Sequence, residues 1–86
     1  MTVRLADIDF DHVRYDATAD VLYLSLGEPR EAADSLVTAE GHVVRYDAAG
    51  AIIGVTLVDA KWLTERDGEL RVSLPISREQ LEPAFA

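Results

Sequence analysis

Residues 13–26 and 44–57 are one pattern met twice. Val-Arg-Tyr-Asp-Ala opens both, at Val13 and again at Val44, and both close on leucine, at Leu26 and Leu57. The offset is 31 residues without a gap, and six of the 14 positions are identical. Val21/Ile52, Leu22/Ile53, Leu24/Val55 and Ser25/Thr56 are close substitutions. In each copy, β-branched and aromatic residues flank a small, polar centre, which is the pattern of strand, turn and strand. A self-similar segment of this length is one supersecondary unit used twice. The chain is therefore expected to contain two similar β-hairpins.

The turns differ in chemistry. Asp47-Ala48-Ala49-Gly50 has Asp first and Gly fourth, as a type I turn prefers, and Gly50 can adopt the left-handed conformation of a hairpin bulge. The first copy has Ala19 at that place, which resists the conformation. Its turn should use Asp20 or a longer loop, and the two registers can then differ by one residue. Alternation assigns Leu22, Leu24 and Leu26 to one face of the first hairpin's second strand, and Ile53, Val55 and Leu57 to one face of its counterpart. These faces should meet in the core. The other faces, Val21, Tyr23 and Ser25 with Ile52, Gly54, Thr56 and Val58, are half apolar. They call for cover by a short helix or a second subunit.

Around the repeat the signals are weaker. Residues 1–11 read as an edge strand with a charged face or as a loose arm. Gly27-Glu28-Pro29-Arg30-Glu31 is a loop, 35–38 a short strand, and Glu40-Gly41 a turn into 42–46. Asp59 can cap a helix over 60–66 that Gly68 stops, in preference to a third hairpin turning at Asp67-Gly68. Leu70, Val72 and Leu74 alternate with Arg71 and Ser73, which predicts a strand over 69–74. Ser77-Arg78-Glu79-Gln80 fits a capping box, Ile76 and Leu81 stand at the hydrophobic-staple positions, and Pro83 limits the helix that would follow. The expected fold class is α+β: a mainly antiparallel sheet holding two similar hairpins, with one or two short helices. Residues 1–86 are taken as one domain: an N-terminal stretch, a double-hairpin core over 13–60 and a helix–strand–helix tail over 61–86.

Charge and size narrow the partners. Sixteen acidic residues against eight basic ones leave a net charge of −8. That sign repels phosphate backbones and anionic membrane surfaces, so neither nucleic acid nor membrane is expected as a partner. It attracts a basic protein. No run approaches the roughly 18 apolar residues of a membrane span, and the first residues do not read as a signal peptide, so a cytoplasmic location is expected. Cysteine is absent, which removes disulfides and thiolate metal sites. A chain of 86 residues without such staples is marginal. A homodimer is the expected support.

The first hairpin carries Tyr15-Asp16, Asp20 and Leu22-Tyr23. The second carries Asp47, Gly50, Ile52, Gly54, Leu57 and Asp59-Ala60. Together these resemble the small bacterial family known as domain of unknown function 2283, over roughly residues 13–60. The resemblance implies a one-domain β-rich protein without an assigned activity. Because some members lie beside toxin-like partners, it also implies an antitoxin-like role. One position departs from the family pattern: Thr56 stands where an acidic residue is common, which removes that carboxylate from any chemistry the family shares.

The residues offer little catalytic machinery. Asp7, Asp9 and Asp11 have the opening spacing of a calcium loop, but His12 and Thr18 occupy its required Gly and Glu positions. His12 and His42 could join carboxylates around zinc, yet the repeat does not place them equivalently. There is no cysteine nucleophile, no Gly-x-Ser-x-Gly elbow and no Gly-rich phosphate loop. Neither a metal nor another cofactor is expected. Asp16, Asp20 and Asp47 could form an acidic pocket for a small enzyme or ligand-binding protein, although Asp at turns is expected for its local hydrogen bonds. Tyr15, Tyr23, Tyr46 and Trp62 are the candidate interaction surface, since aromatics bury much area with few rotors. The leading expectation is a non-enzymatic domain that binds a basic protein.

Overall fold

A computed structural model describes residues 1–74 and Ala84. Among these residues seven strands form two antiparallel sheets. A hairpin of β1 (Val3–Leu5) and β2 (Ile8–Phe10) stands alone. The main sheet has the order β3-β4-β7-β6-β5, built from β3 (His12–Asp16), β4 (Val21–Ser25), β5 (Asp34–Val37), β6 (Val43–Tyr46) and β7 (Ile52–Val58). The helix α1 (Ala60–Asp67) follows. The mainly antiparallel α+β class and the two hairpins are as the sequence indicates. No helix among the described residues is long and apolar enough to cross a membrane.

The repeat becomes a pseudo-two-fold axis. β3 pairs with β4 through Val13↔Leu24 and Arg14↔Tyr23, and β6 pairs with β7 through the equivalent Val44↔Val55 and Arg45↔Gly54. The hairpins meet along β4 and β7, where Leu24 lies opposite its own counterpart Val55. Exchanging the two copies carries this ladder onto itself. The one-residue difference in register is present only beside the turn. Tyr15 faces Leu22, but Tyr46 faces Ile52, and a bulge between Arg45 and Tyr46 restores the common register. The left-handed residue is Asp20 in the first turn (φ 55°) and Gly50 in the second (φ 83°), so the turns differ as their chemistry requires.

The core lies on one face of this sheet. Leu24 and Val55 are fully buried with Phe10, and Leu57 and Ala60 complete the cluster. Three elements cover that face. The first is the N-terminal hairpin, which brings Val3, Leu5 and Ile8 against the cluster. Residues 1–11 are thus neither an edge of the main sheet nor a free arm. The hairpin turns at Ala6-Asp7, both at positive φ (49° and 65°), as a two-residue hairpin loop requires. Ala is a poor residue for that conformation, so the sequence carries no turn signal there. Arg4 pairs with Asp7 and Asp9 across the hairpin.

The second element is α1, and its start is not capped as expected. Asp59 sits at φ 54° and makes no side-chain cap. Asp20, in the β3–β4 turn, does this work from 41 residues away. Its carboxylate accepts the Lys61 N–H at 2.8 Å and the Trp62 N–H at 3.0 Å, and its carbonyl accepts the Ala60 N–H at 3.1 Å. Orphan helix donors are thereby satisfied and a negative charge sits at the positive end of the helix. Gly68 ends α1 in the left-handed conformation, its N–H on the Thr64 carbonyl.

The third element is the segment after α1. Leu70 and Val72 turn inward to the core, so the alternation is real. Yet residues 69–74 pair with no strand among the described residues and do not form the strand expected there. A tether replaces the ladder: the Glu40 carboxylate accepts the Ser73 N–H at 2.8 Å and also the Ser73 hydroxyl. These bonds hold Glu40 from its usual 4.5 down to about 2. A depressed carboxyl stabilises the fold fully above its unfolded value and loses that contribution as pH falls through the folded one. The Ser73 amide resonance should therefore titrate with a midpoint near pH 2. Glu40→Gln should abolish that titration, and a wild-type midpoint near 4.5 would show that the tether is not made. The capping box at Ser77–Gln80, the staple of Ile76 and Leu81, and Pro83 lie outside the described residues.

Candidate functional site

With all three covering elements on one side, no described element crosses the opposite face of the sheet. Its side chains follow from the pairing: the row Arg14, Tyr23, Thr56, Val43 and Val37, flanked by Asp16, Val21 and Val58 on one side and by His12, Ser25, Gly54, Arg45 and Ser35 on the other. Val37 and Val58 are exposed, and Val21, Tyr23, Val43 and Thr56 are half-buried. The short helix that could have covered this second apolar face packs on the first one instead, with Ala60 in the core cluster.

Two arginines shape the face. Arg14 lays its guanidinium on the Tyr23 ring, 4.6 Å from the centroid, a cation–π contact. Arg45 crosses β7 and reaches β4, where it donates to the Ser25 hydroxyl at 3.3 Å and the Leu24 carbonyl at 3.4 Å. Gly54 makes this passage possible. A Cβ there would run into the Arg45 guanidinium and stand 2.9 Å from the Leu24 carbonyl oxygen. Arg14 and Arg45 are equivalent residues of the repeat. The difference between their cross-strand partners, Tyr23 and Gly54, decides that one guanidinium stacks and the other reaches over. The Arg45 Nε–H is buried and has no acceptor among the described residues.

The charge pattern sets this pair apart. Arg4, Arg30, Lys61, Arg66 and Arg71 each pair with a carboxylate. Among the described lysines and arginines, Arg14 and Arg45 are the ones that do not, in a chain with twice as many acidic as basic residues. Both lie on the uncovered face. No charge or spacing motif marks them in the sequence, although the two identical Val-Arg-Tyr-Asp-Ala runs of the repeat contain them.

The residues singled out from sequence are dispersed. Tyr23 belongs to the uncovered face. Tyr15 points to the covered side, where its hydroxyl donates to Asp20 at 2.8 Å. That bond raises the tyrosine's own ionisation above its ordinary value. Trp62 is exposed on α1 with Arg66 stacked on it, 4.6 Å from the ring centroid. Tyr46 sits at the bulge beside β5. Tyr15 and Trp62 meet through Asp20, whose carboxyl is held below the usual range chiefly by the Lys61 and Trp62 N–H groups. Tyr23 and Tyr46 do not join them.

Nor do the three turn aspartates converge. Asp16 accepts the N–H groups of Thr18 and Ala19, and Asp47 those of Ala49 and Ala51. Because β4 and β7 are antiparallel, Asp16 and Asp20 stand at one end of the sheet and Asp47 at the other. His12 is on edge strand β3, and His42 precedes β6, three strands away or about 14 Å. His42 is fully buried, and its Nδ1 accepts the Val58 N–H at 3.0 Å. The ring proton therefore sits on Nε2, which has no partner among the described residues. His42 lies beside a cleft of 540 Å³ lined by Glu40, Leu63, Arg66 and Glu69 among others. In that cleft Arg66 is already paired with Asp67 and Arg71 with Glu69. No group of three or more potential metal ligands occurs among the described residues.

A family model described as "Protein of unknown function (DUF2283)" matches residues 12–61, more than half of the chain. The match spans β3 to the start of α1 and so includes both hairpins and the uncovered face. Comparison with curated proteins and with solved structures finds no significant match.

Proposed function

The chain belongs to the DUF2283 family of proteins of unknown function, and on that footing we propose that it is a non-enzymatic protein-binding domain that docks through the uncovered face of its five-stranded sheet. One observation carries the reading. The sheet is packed on one side only, and its other side presents valines and a tyrosine with no described element over them. A half-apolar face of this kind suits another protein surface, whereas small ligands favour concave sites with converging polar groups. An antitoxin-like role with a basic partner is a narrower form of the same reading. Its support is the family resemblance and the −8 charge, which would steer a cationic partner at long range.

The test is retention by the tagged chain in lysate of its own host, at low and at moderate salt, beside Val58→Glu. Val58 is exposed, so the substitution should leave the fold intact while placing a charge in the apolar part of the face. A partner held by the wild type and lost by Val58→Glu is the expected result. A partner held equally by both, or none at either salt, overturns the reading.

A further inference from the structure

The cations of the uncovered face say what its occupant must bring. Arg14 and Arg45 start from strands on either side of the central pair, and both guanidiniums come to rest over β4. Their resting points, Tyr23 and Ser25, are two residues apart on one face of the strand, about 7 Å. Among the described residues neither guanidinium has a carboxylate partner, although every other lysine and arginine there has found one. Arg45 also keeps a buried Nε–H without an acceptor among the described residues. A guanidinium is a rigid fork that matches a carboxylate, and charge-assisted pairs of this kind are stronger than neutral hydrogen bonds. Side chains at positions i and i+2 of an extended strand share one side and are likewise about 7 Å apart.

Resting on the proposal that this face docks a protein, we infer that its occupant is an acidic, extended segment of the partner, two of whose carboxylates, on one side of that segment, pair with Arg14 and Arg45. The apolar neighbours Val21, Val43 and Val58 receive the rest of the segment. The chemistry is opposite to what net charge alone suggests. Net charge acts at long range through the turns and edges where the aspartates lie, while the contact itself is made on a local pair of cations. A second copy of the chain would have to bring its own arginines against these in a face-to-face arrangement, with like charges apposed. Phosphate backbones are disfavoured by the −8 charge.

The experiment uses the 15N-labelled chain and three synthetic peptides, Val-Glu-Val-Glu-Val and its Gln and Lys counterparts. The glutamate peptide should shift the amides of Tyr23, Ser25, Gly54 and Thr56. It should bind at least ~10-fold more tightly than the glutamine peptide and weaken with salt. Arg14→Gln alone, a change at an exposed residue, should weaken it several-fold, and Arg14→Gln with Arg45→Gln should abolish the preference for glutamate. Equal or tighter binding of the lysine peptide at those amides overturns the inference while leaving the docking face standing. Preferential shifts from a single-stranded oligonucleotide also overturn it. So do concentration-dependent shifts of the same amides without peptide, which would show that a second copy takes the face. Failure of all three peptides to shift these amides removes the acidic segment as occupant, and the Val58→Glu comparison then decides separately whether the face docks anything.

Discussion

Replacing Phe10 by alanine should cost the fold about 3–5 kcal/mol, the range for removing a large aromatic from a packed interior. Phe10 is fully buried against Leu24 and Val55, the pair on the pseudo-two-fold axis. A domain of this size has about 4–13 kcal/mol in total, so the loss is a large share of it. The urea midpoint should fall by about a quarter or more at unchanged slope, while Phe10→Leu should retain most of the wild-type value. A loss below about 1 kcal/mol for the alanine variant would mean that the N-terminal hairpin does not close the core. The prediction separates this arrangement from a loose arm, whose Phe10 would be dispensable.

Gly54→Ala should destabilise by about 1–3 kcal/mol, the usual range for overpacking. The sign is the informative part. At an ordinary strand position Ala gains over Gly, because Gly loses more backbone freedom on folding. Here the added Cβ meets the Arg45 guanidinium and stands 2.9 Å from the Leu24 carbonyl oxygen. The guanidinium can swing away, but the carbonyl belongs to the central ladder and cannot move without disturbing β4. The variant should therefore lose stability and also release Arg45, visible as a shift of its Nε–H resonance. Adding Arg45→Ala should recover only the part of the cost due to the side chain. A stabilised Gly54→Ala would show that Arg45 does not lie across β7.

Much of the sheet was legible because its signals are local. Val13-Arg14-Tyr15-Asp16 and Val44-Arg45-Tyr46-Asp47 repeat within one chain. Alternation placed Leu24 and Val55 on inward faces, and both are fully buried. Asp47 and Gly50 marked their turn, and Gly68 marked the end of α1. The failures have one cause. Residues 69–74 alternate as a strand does, but a strand needs a neighbour, and no feature of Leu70-Arg71-Val72 says whether one is within reach. Asp59 stands where a cap belongs by sequence, while Asp20 does the capping from the far side of the sheet.

By itself the sequence determined the two hairpins, their inward faces and the class of the fold, because period-two alternation and turn chemistry act over a few neighbouring residues. Tertiary structure alone decided that Phe10 closes the core and that α1 covers the face already apolar enough to need it. It also decided that Arg14 and Arg45, 31 residues apart, come to rest over the same strand. These outcomes depend on which surfaces are left for each element to bury against. That choice is made by the whole packed chain and leaves no mark in any one segment of it.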